Sequence, residues 1–214
     1  MVRSSLAASV LTFALPTMAL AAAPCDGRID EVSHESIVVV ERPPTDGRGV
    51  AIEACGRVDA LPAAVWPVVV NCQYFSEFLP SVDQSRLLSR QGHVADCETE
   101  VDLPFPLRDI YTVTRNVEVA LESGGWQRRW TLLRGSYSRN IGSWTLLPWP
   151  GDDGDTLVVY NVDIDPDSFV PNFILRRLQR STAPRVFDAV RERVAYCAGR
   201  DDAACRADFP PRAD

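Results

Sequence analysis

The sequence has no excess of positive charge. Its formal net charge is −7 at pH 7, and most of its basic residues are arginine. Proteins that bind nucleic acid draw much of their affinity from clustered Lys and Arg side chains that neutralise phosphates. We therefore expect no nucleic-acid partner.

Motifs for metal binding and for nucleophilic catalysis are also missing. There is no C-x-x-C pair, and the two histidines, His34 and His93, are not spaced as metal ligands with the cysteines. No serine stands in a G-x-S-x-G frame. The alternating aspartates of residues 163–167 lack the Gly and Glu positions of a calcium loop. We expect no metal, no cofactor and no catalytic residue, and we favour binding over catalysis.

A long apolar run occurs only at the N-terminus. Arg3 precedes an apolar stretch from Leu6 to Leu20, which ends in small alanines, as in a secretory signal peptide. Because this run is short for a membrane span and contains Pro16, residues 1–23 are predicted to be a cleaved signal peptide, with an uncleaved anchor as the alternative. The mature protein is then expected to be a periplasmic or secreted monomer.

All six cysteines lie after the expected cleavage site. An even number of cysteines in an oxidising compartment predicts disulfide bonds, although the sequence leaves many pairings open. Only Cys197 and Cys205 are close enough, with Gly199 between them, to predict a local pair. This pair would tie down the tail of residues 198–214.

The first half of the mature chain predicts a hairpin followed by two short helices. Strands are expected at Ile37–Glu41 and Val50–Val58, joined by a turn rich in proline and glycine. A helix should follow, with Asp59 near its cap and Pro62 in its first turn, and run to about Val70. A shorter helix is expected from Tyr74 to Leu79.

The second half predicts a β-meander and one long helix. The helix begins near Ser168, with Asp167 or Ser168 as its cap, and Pro184 should kink or divide it. The connections between the preceding strands are too short for crossover helices, so the strands should be antiparallel. These six strands are expected at residues 85–89, 93–101, 109–121, 126–134, 141–147 and 156–164.

The order of elements predicts an α+β fold. A curved antiparallel sheet should wrap around the long C-terminal helix, with two short helices after the first core strand. A bent sheet is not filled completely by one helix, so an apolar cavity is expected between them.

Short segments in this order resemble the START and polyketide-cyclase-like superfamily, as an exported bacterial member. The resemblance covers about residues 50–195, and it implies a helix-grip domain over residues 24–197 with a pocket for a hydrophobic molecule. The segments that carry it are Val58–Pro62, Val65–Trp66, Tyr74–Pro80, Pro106–Asp109, Gly142–Trp144, Asp165–Pro166 and Val170–Asn172.

Candidate ligand-binding residues are mostly large and apolar, although such residues are more often ordinary core. On the strand that begins at Asp109, the face with Tyr111, Val113 and Arg115 is expected to point inward. Arg115 would then pair with an acid among residues 96–102 or hold a polar ligand group. The full set is Trp66, Phe78, Tyr111, Val113, Arg115, Trp130, Trp144, Tyr160, Phe173 and Ile174.

A gate to the cavity is expected at Phe78–Leu79 and at residues 169–171. The arginines Arg176, Arg177, Arg180 and Arg185 form either a solvated helix face or a transient contact with anionic lipid headgroups. The expected function is binding, with transport as an extension, of a lipid or other hydrophobic molecule in the cell envelope. Alternatives are a cyclase or hydro-lyase that uses Arg115 with a neighbouring acid, and a protein-interaction module.

Overall fold

The structure is a computed structural model that describes residues 23–102, 109–122, 124–167 and 171–207. Residues 1–22 of the expected signal peptide, the proposed cap Ser168, and the end of the C-terminal tail lie outside these ranges.

The predicted N-terminal hairpin is confirmed. Strands β1 (Val38–Arg42) and β2 (Val50–Val58) pair antiparallel, with Val38 opposite Cys55. A 3-10 helix (Pro24–Glu31) precedes the hairpin and packs against it. Most of β2 is buried, as expected for a strand with a neighbour on each side.

Two short helices follow β2, as predicted. Helix α1 (Pro62–Val70) buries its last six residues, and a 3-10 helix (Cys72–Glu77) comes next. Asp59 lies two residues before the N-cap, Leu61, and its carboxylate contacts Nδ1 of His34 rather than capping the helix. Pro62 begins the helix without losing a hydrogen bond, since the first N–H groups have no partner within a helix.

The remaining strands complete one eight-stranded sheet in the order β1-β2-β8-β7-β6-β5-β4-β3. Neighbouring strands are antiparallel throughout, and β8 returns to pair with β2, with Val50 opposite Ile164. Register shifts interrupt three of the pairs, and such bulges bend strands. The six strands are β3 (Val82–Gln91), β4 (Val94–Val101), β5 (Ile110–Ala120), β6 (Trp126–Gly135), β7 (Tyr137–Trp149) and β8 (Asp152–Pro166).

The C-terminal helix α2 (Asn172–Cys197) starts later than predicted and is not divided. Pro171 occupies its N-cap position, and the Asp167 carboxylate accepts a hydrogen bond from Ser138 rather than capping the helix. Pro184 removes one backbone hydrogen bond, but neighbouring Ala183 and Phe187 are buried, and this packing keeps the helix continuous.

Helix α2 packs on β2 and β7 through Phe187, which is fully buried. Gly56 of β2 makes this approach possible, because a Cβ at that position would overlap the Phe187 ring. The Phe187 ring also lies 6.1 Å from that of Trp144 on β7. The predicted fold class, a curved antiparallel sheet holding a long C-terminal helix, is therefore confirmed.

Three disulfide bonds use all six cysteines. Cys197 pairs with Cys205, as predicted, and closes the short loop after α2. Cys25 pairs with Cys55, and Cys72 pairs with Cys97. These two bonds tie the N-terminal segment to β2 and the second short helix to β4.

Within the described ranges, no helix combines the length and the apolar character that crossing a membrane requires.

A candidate ligand-binding cavity

A cavity of about 240 Å³ lies between the inner face of the sheet and α2. Strands β4 to β8 supply most of its wall, and Gln179, Thr182 and Val186 close it from the helix side. Leu79 and Pro80, just after the second short helix, form another side. The cavity lies where the order of elements predicted one.

A second, larger depression of about 570 Å³ lies on the outside, between α1 and α2. Small residues such as Ala63, Ala64 and Ala195 line it, together with the Cys197–Cys205 disulfide. The inner cavity is the better candidate site, because aromatic side chains and buried polar groups surround it, as is typical of small-molecule sites.

The inner face of β5 carries Thr112, Thr114 and Asn116, all buried and all lining the cavity. The expectation that the face with Tyr111, Val113 and Arg115 points inward is wrong. Successive side chains on a strand point to opposite faces, so the two sets cannot both line the cavity. Small polar residues take the inner positions, and they leave space that larger side chains would fill.

Arg115 lies on the outer face and forms an ion pair with Asp96. Its Nε and Nη2 atoms each donate to a carboxylate oxygen of Asp96 at 2.9 Å. These hydrogen bonds hold the pKa of Asp96 below its ordinary value. On the same face, the Tyr111 hydroxyl donates to Glu98 at 2.8 Å. Of the two roles considered for Arg115, the structure shows the ion pair.

Three of the predicted aromatic residues do meet at the cavity. Tyr160 lies between Trp130 and Trp144, with ring centroids 6.0 Å and 4.4 Å away. The indole Nε1 of Trp130 donates to Oδ1 of Asn140 at 2.8 Å, which fixes the ring orientation. Burial raises the pKa of Tyr160 to about 12, so its hydroxyl stays protonated at neutral pH.

The other predicted residues are not among those that line the cavity. Trp66 lies in the core, edge-on to Trp126 at 5.6 Å. Phe78 packs on Phe75. Phe173 is 70% exposed on the first turn of α2, and Ile174 beside it is half-buried. Helix α2 therefore faces the cavity with its middle, not with its first turn.

Arg128 of β6 is the main site residue that the sequence analysis missed. It lines the cavity with only 4% of its surface exposed, and its Nη1 donates to the carbonyl oxygen of Val69 at 2.6 Å. Its guanidinium also lies 5.1 Å from the centre of the Phe75 ring. Alternation along β6 would have revealed it, because Arg128 shares a face with Trp130.

Several buried polar atoms around the cavity have no hydrogen-bond partner within the described residues: Nε of Arg128, Oδ1 of Asn116 and Oγ1 of Thr112. Burial also lowers the pKa of Arg128 to about 10, so the guanidinium remains charged at neutral pH. Buried polar groups are rarely left unpaired in native proteins. The cavity wall therefore offers places for the polar groups of a ligand.

The expected gate is only partly described. Leu79 lines the cavity, and Pro171 is exposed at the start of α2. Phe78 packs on Phe75, and the remaining two residues expected there, Phe169 and Val170, lie outside the described residues. The gate remains a prediction.

A family match covers most of the described chain. Residues 58–191 match the family described as Polyketide cyclase / dehydrase and lipid transport. A comparison with curated proteins found no match.

Three solved structures illustrate the shared fold. A STAR-related lipid transfer protein from Xanthomonas axonopodis is 21% identical, with 76% of this chain and 96% of that chain covered and a TM-score of 0.67. Human StAR-related lipid transfer protein 5 is 14% identical, with 75% and 82% covered and a TM-score of 0.66. The Zhui aromatase/cyclase from a Streptomyces species is 15% identical, with 72% and 96% covered and a TM-score of 0.53.

At these identities the solved structures establish a common fold, while the family match spans more than half of the chain. With its curved sheet, its long C-terminal helix and the cavity between them, the chain belongs to the polyketide cyclase / dehydrase and lipid transport family, and it has the helix-grip fold of START proteins.

Proposed function

We propose that this protein binds one hydrophobic small molecule in the cavity beneath α2, and carries or sequesters it in the cell envelope. The observation that supports this most directly is the cavity itself, with Trp130, Trp144 and Tyr160 on one wall and a buried arginine beside them. The START-like fold generally holds hydrophobic ligands, which agrees with this arrangement.

The apolar wall accounts for the binding energy. Burying about 200 Å² of apolar ligand surface contributes about 5 kcal/mol. Loss of the free motion of the ligand offsets much of this gain. The few polar groups of the wall must therefore add both affinity and selectivity, as they do in most small-molecule sites.

The envelope location rests on two independent features. The N-terminal residues have the layout of a signal peptide. All six cysteines are paired in three disulfide bonds, which persist in oxidising compartments and are rare in the cytosol. Both features suit a protein that works after export.

Contact with a membrane would allow a hydrophobic ligand to enter and leave. Phe173 is exposed on the first turn of α2, and Arg176 and Arg180 are exposed on the same helix, close to Glu41. An exposed aromatic ring beside cations suits a transient contact with anionic lipid headgroups.

The enzyme alternative loses its suspected acid–base pair. Arg115 and Asp96 bond to each other on the outer face, away from the cavity. Among the described residues that line the cavity there is no carboxylate and no imidazole. We therefore place binding before catalysis. The alternative of a protein-interaction module would be favoured by a protein without an internal cavity. The cavity beneath α2 therefore favours ligand binding.

Mass spectrometry of organic extracts from the purified, correctly disulfide-bonded protein tests the proposal. We expect one hydrophobic compound per protein molecule. The matched variants are Thr114→Phe, which places a ring in the cavity, and Thr131→Phe, which adds the same ring at an exposed position on β6. Thr114→Phe should lose the compound and Thr131→Phe should keep it. Equal retention by both variants would show that the compound binds elsewhere, and an empty protein that also ignores added hydrophobic compounds would refute the proposal.

A further inference from the structure

The charge of Arg128 is incompletely matched within the protein. Among the described residues, the one hydrogen bond of Nη2 is to the Cys97 sulfur at 3.8 Å, Nε has no partner, and no carboxylate hydrogen-bonds to the guanidinium. Glu118, directly opposite on β5, is the nearest acid, but it hydrogen-bonds to Arg90 at 2.8 Å, so one buried carboxylate is shared electrostatically between two arginines. A buried cation without a hydrogen-bonded anion is costly.

The position of Arg128 makes this charge available to a ligand. Arg128 lies diagonally across the β5–β6 pair from Asn116, and both residues line the cavity. The Oδ1 atom of Asn116 also has no hydrogen-bond partner among the described residues. Trp130, two residues further along β6, and Trp144, directly opposite Arg128 on β7, lie on the same wall. A ligand in contact with these rings would place its polar end near the guanidinium.

The cavity volume limits the size of that ligand. An apolar protein cavity of roughly 150 Å³ holds a benzene molecule. The cavity of this protein, at about 240 Å³, is about 1.6 times as large as that one. That space suits one substituted or fused ring system, and it is far too small for a phospholipid with two acyl chains.

We infer that the cavity selects a compact, ring-containing carboxylic acid of about ten non-hydrogen atoms, bound as its anion with the carboxylate on Arg128. This inference rests on the proposed function, because it names the chemical class of the ligand held in the same cavity. Charge-assisted hydrogen bonds from arginine to a carboxylate are roughly twice as strong as neutral ones. The acid should therefore bind better than an uncharged compound of the same shape.

A matched pair of probes tests the charge. Phenylacetic acid and phenylacetamide have nearly the same size and shape, and only the acid is an anion at neutral pH. Binding to the full mature protein is measured by calorimetry and by quenching of tryptophan fluorescence, since two tryptophans line the cavity. We expect the acid to bind at least about tenfold more tightly than the carboxamide.

Variants locate the effect. Arg128→Met should remove the preference for the acid, while Arg128→Lys should keep part of it. Arg115→Gln, which removes an exposed arginine of the outer face, is the control and should behave as the unaltered protein does. If Arg128→Met does not fold, the comparison of the two probes on the unaltered protein still decides the question.

The possible failures are distinguishable. Equal or tighter binding of the carboxamide, or a clear preference for phospholipid vesicles or a long-chain fatty acid over both probes, would overturn the inference and leave the proposed function intact. If none of the probes binds and organic extracts contain no ligand, the inference and the proposed function fail together.

Discussion

Replacing Gly142 with alanine should destabilise the protein and distort the cavity wall. Gly142 of β7 lies opposite Trp130 on β6 and opposite Val162 on β8. A Cβ at this position would overlap both the Trp130 ring and the backbone oxygen of Asn161. Because the backbone of a central strand cannot move away easily, the Trp130 indole must shift to make room for the added methyl group.

The expected cost is about 3 kcal/mol, at the upper end of the range for an overpacked core. For a domain of this size, that corresponds to a fall of roughly 6–12 °C in the melting temperature. Thermal unfolding followed by circular dichroism measures it. Gly154→Ala is the matched control, because its Cβ would meet only the flexible carboxylate of Asp152, at 3.2 Å.

A double variant shows whether the Trp130 ring carries the effect. Trp130→Phe gives the alanine more room, so part of the loss at Gly142 should disappear when the two changes are combined. A Gly142→Ala protein as stable as the Gly154→Ala control would refute the reasoning. It would mean that Trp130 does not pack against β7 in solution.

Three further outcomes are expected. Replacing Cys72 and Cys97 with alanine should lower the free energy of unfolding by about 3.5 kcal/mol, because the disulfide joins residues 25 positions apart. A urea titration measures this change. An unchanged free energy of unfolding would contradict the role of the disulfide in tying the second short helix to β4. Asp96→Asn should lower the free energy of unfolding by about 0.2–1 kcal/mol at pH 7, because Arg115 depresses the pKa of this acid. A carboxyl group with a lowered pKa in the folded state stabilises the fold above its unfolded-state pKa. The stability difference between the two proteins should therefore disappear as the pH falls through the folded-state pKa of Asp96. A stability difference that grows in acid would contradict this reasoning. Arg115→Leu should leave ligand retention unchanged and destabilise the protein no more than Asp96→Asn does, because about half of the Arg115 side chain is exposed. Loss of the ligand from this variant would show that Arg115 takes part in binding.

The elements themselves were largely predictable. The first hairpin, six further strands and the C-terminal helix were expected within a few residues of their observed bounds. Alternation along strands, helical spacing and turn residues are local properties, and they appear in the sequence directly. The errors fell at helix starts, where Leu61 and Pro171 replaced the expected polar caps.

The inner face of β5 shows why the site was harder to predict. Tyr111 and Val113 made the outer face look like a core face, while the residues that line the cavity are Thr112, Thr114 and Asn116. An ordinary core selects large apolar side chains, whereas a wall that encloses free space also suits small polar ones. The usual rule of apolar residues inside therefore pointed the wrong way.

By itself, the sequence determined the class of fold, the order of its elements, the local Cys197–Cys205 pair and the family. These depend on residue type and on short-range spacing. Tertiary structure alone decided the other two disulfides, the outward position of Arg115 and the burial of Arg128 beside the cavity. Each of these depends on which strands become neighbours and on which face of the sheet α2 covers, and those are relations between residues far apart in the chain.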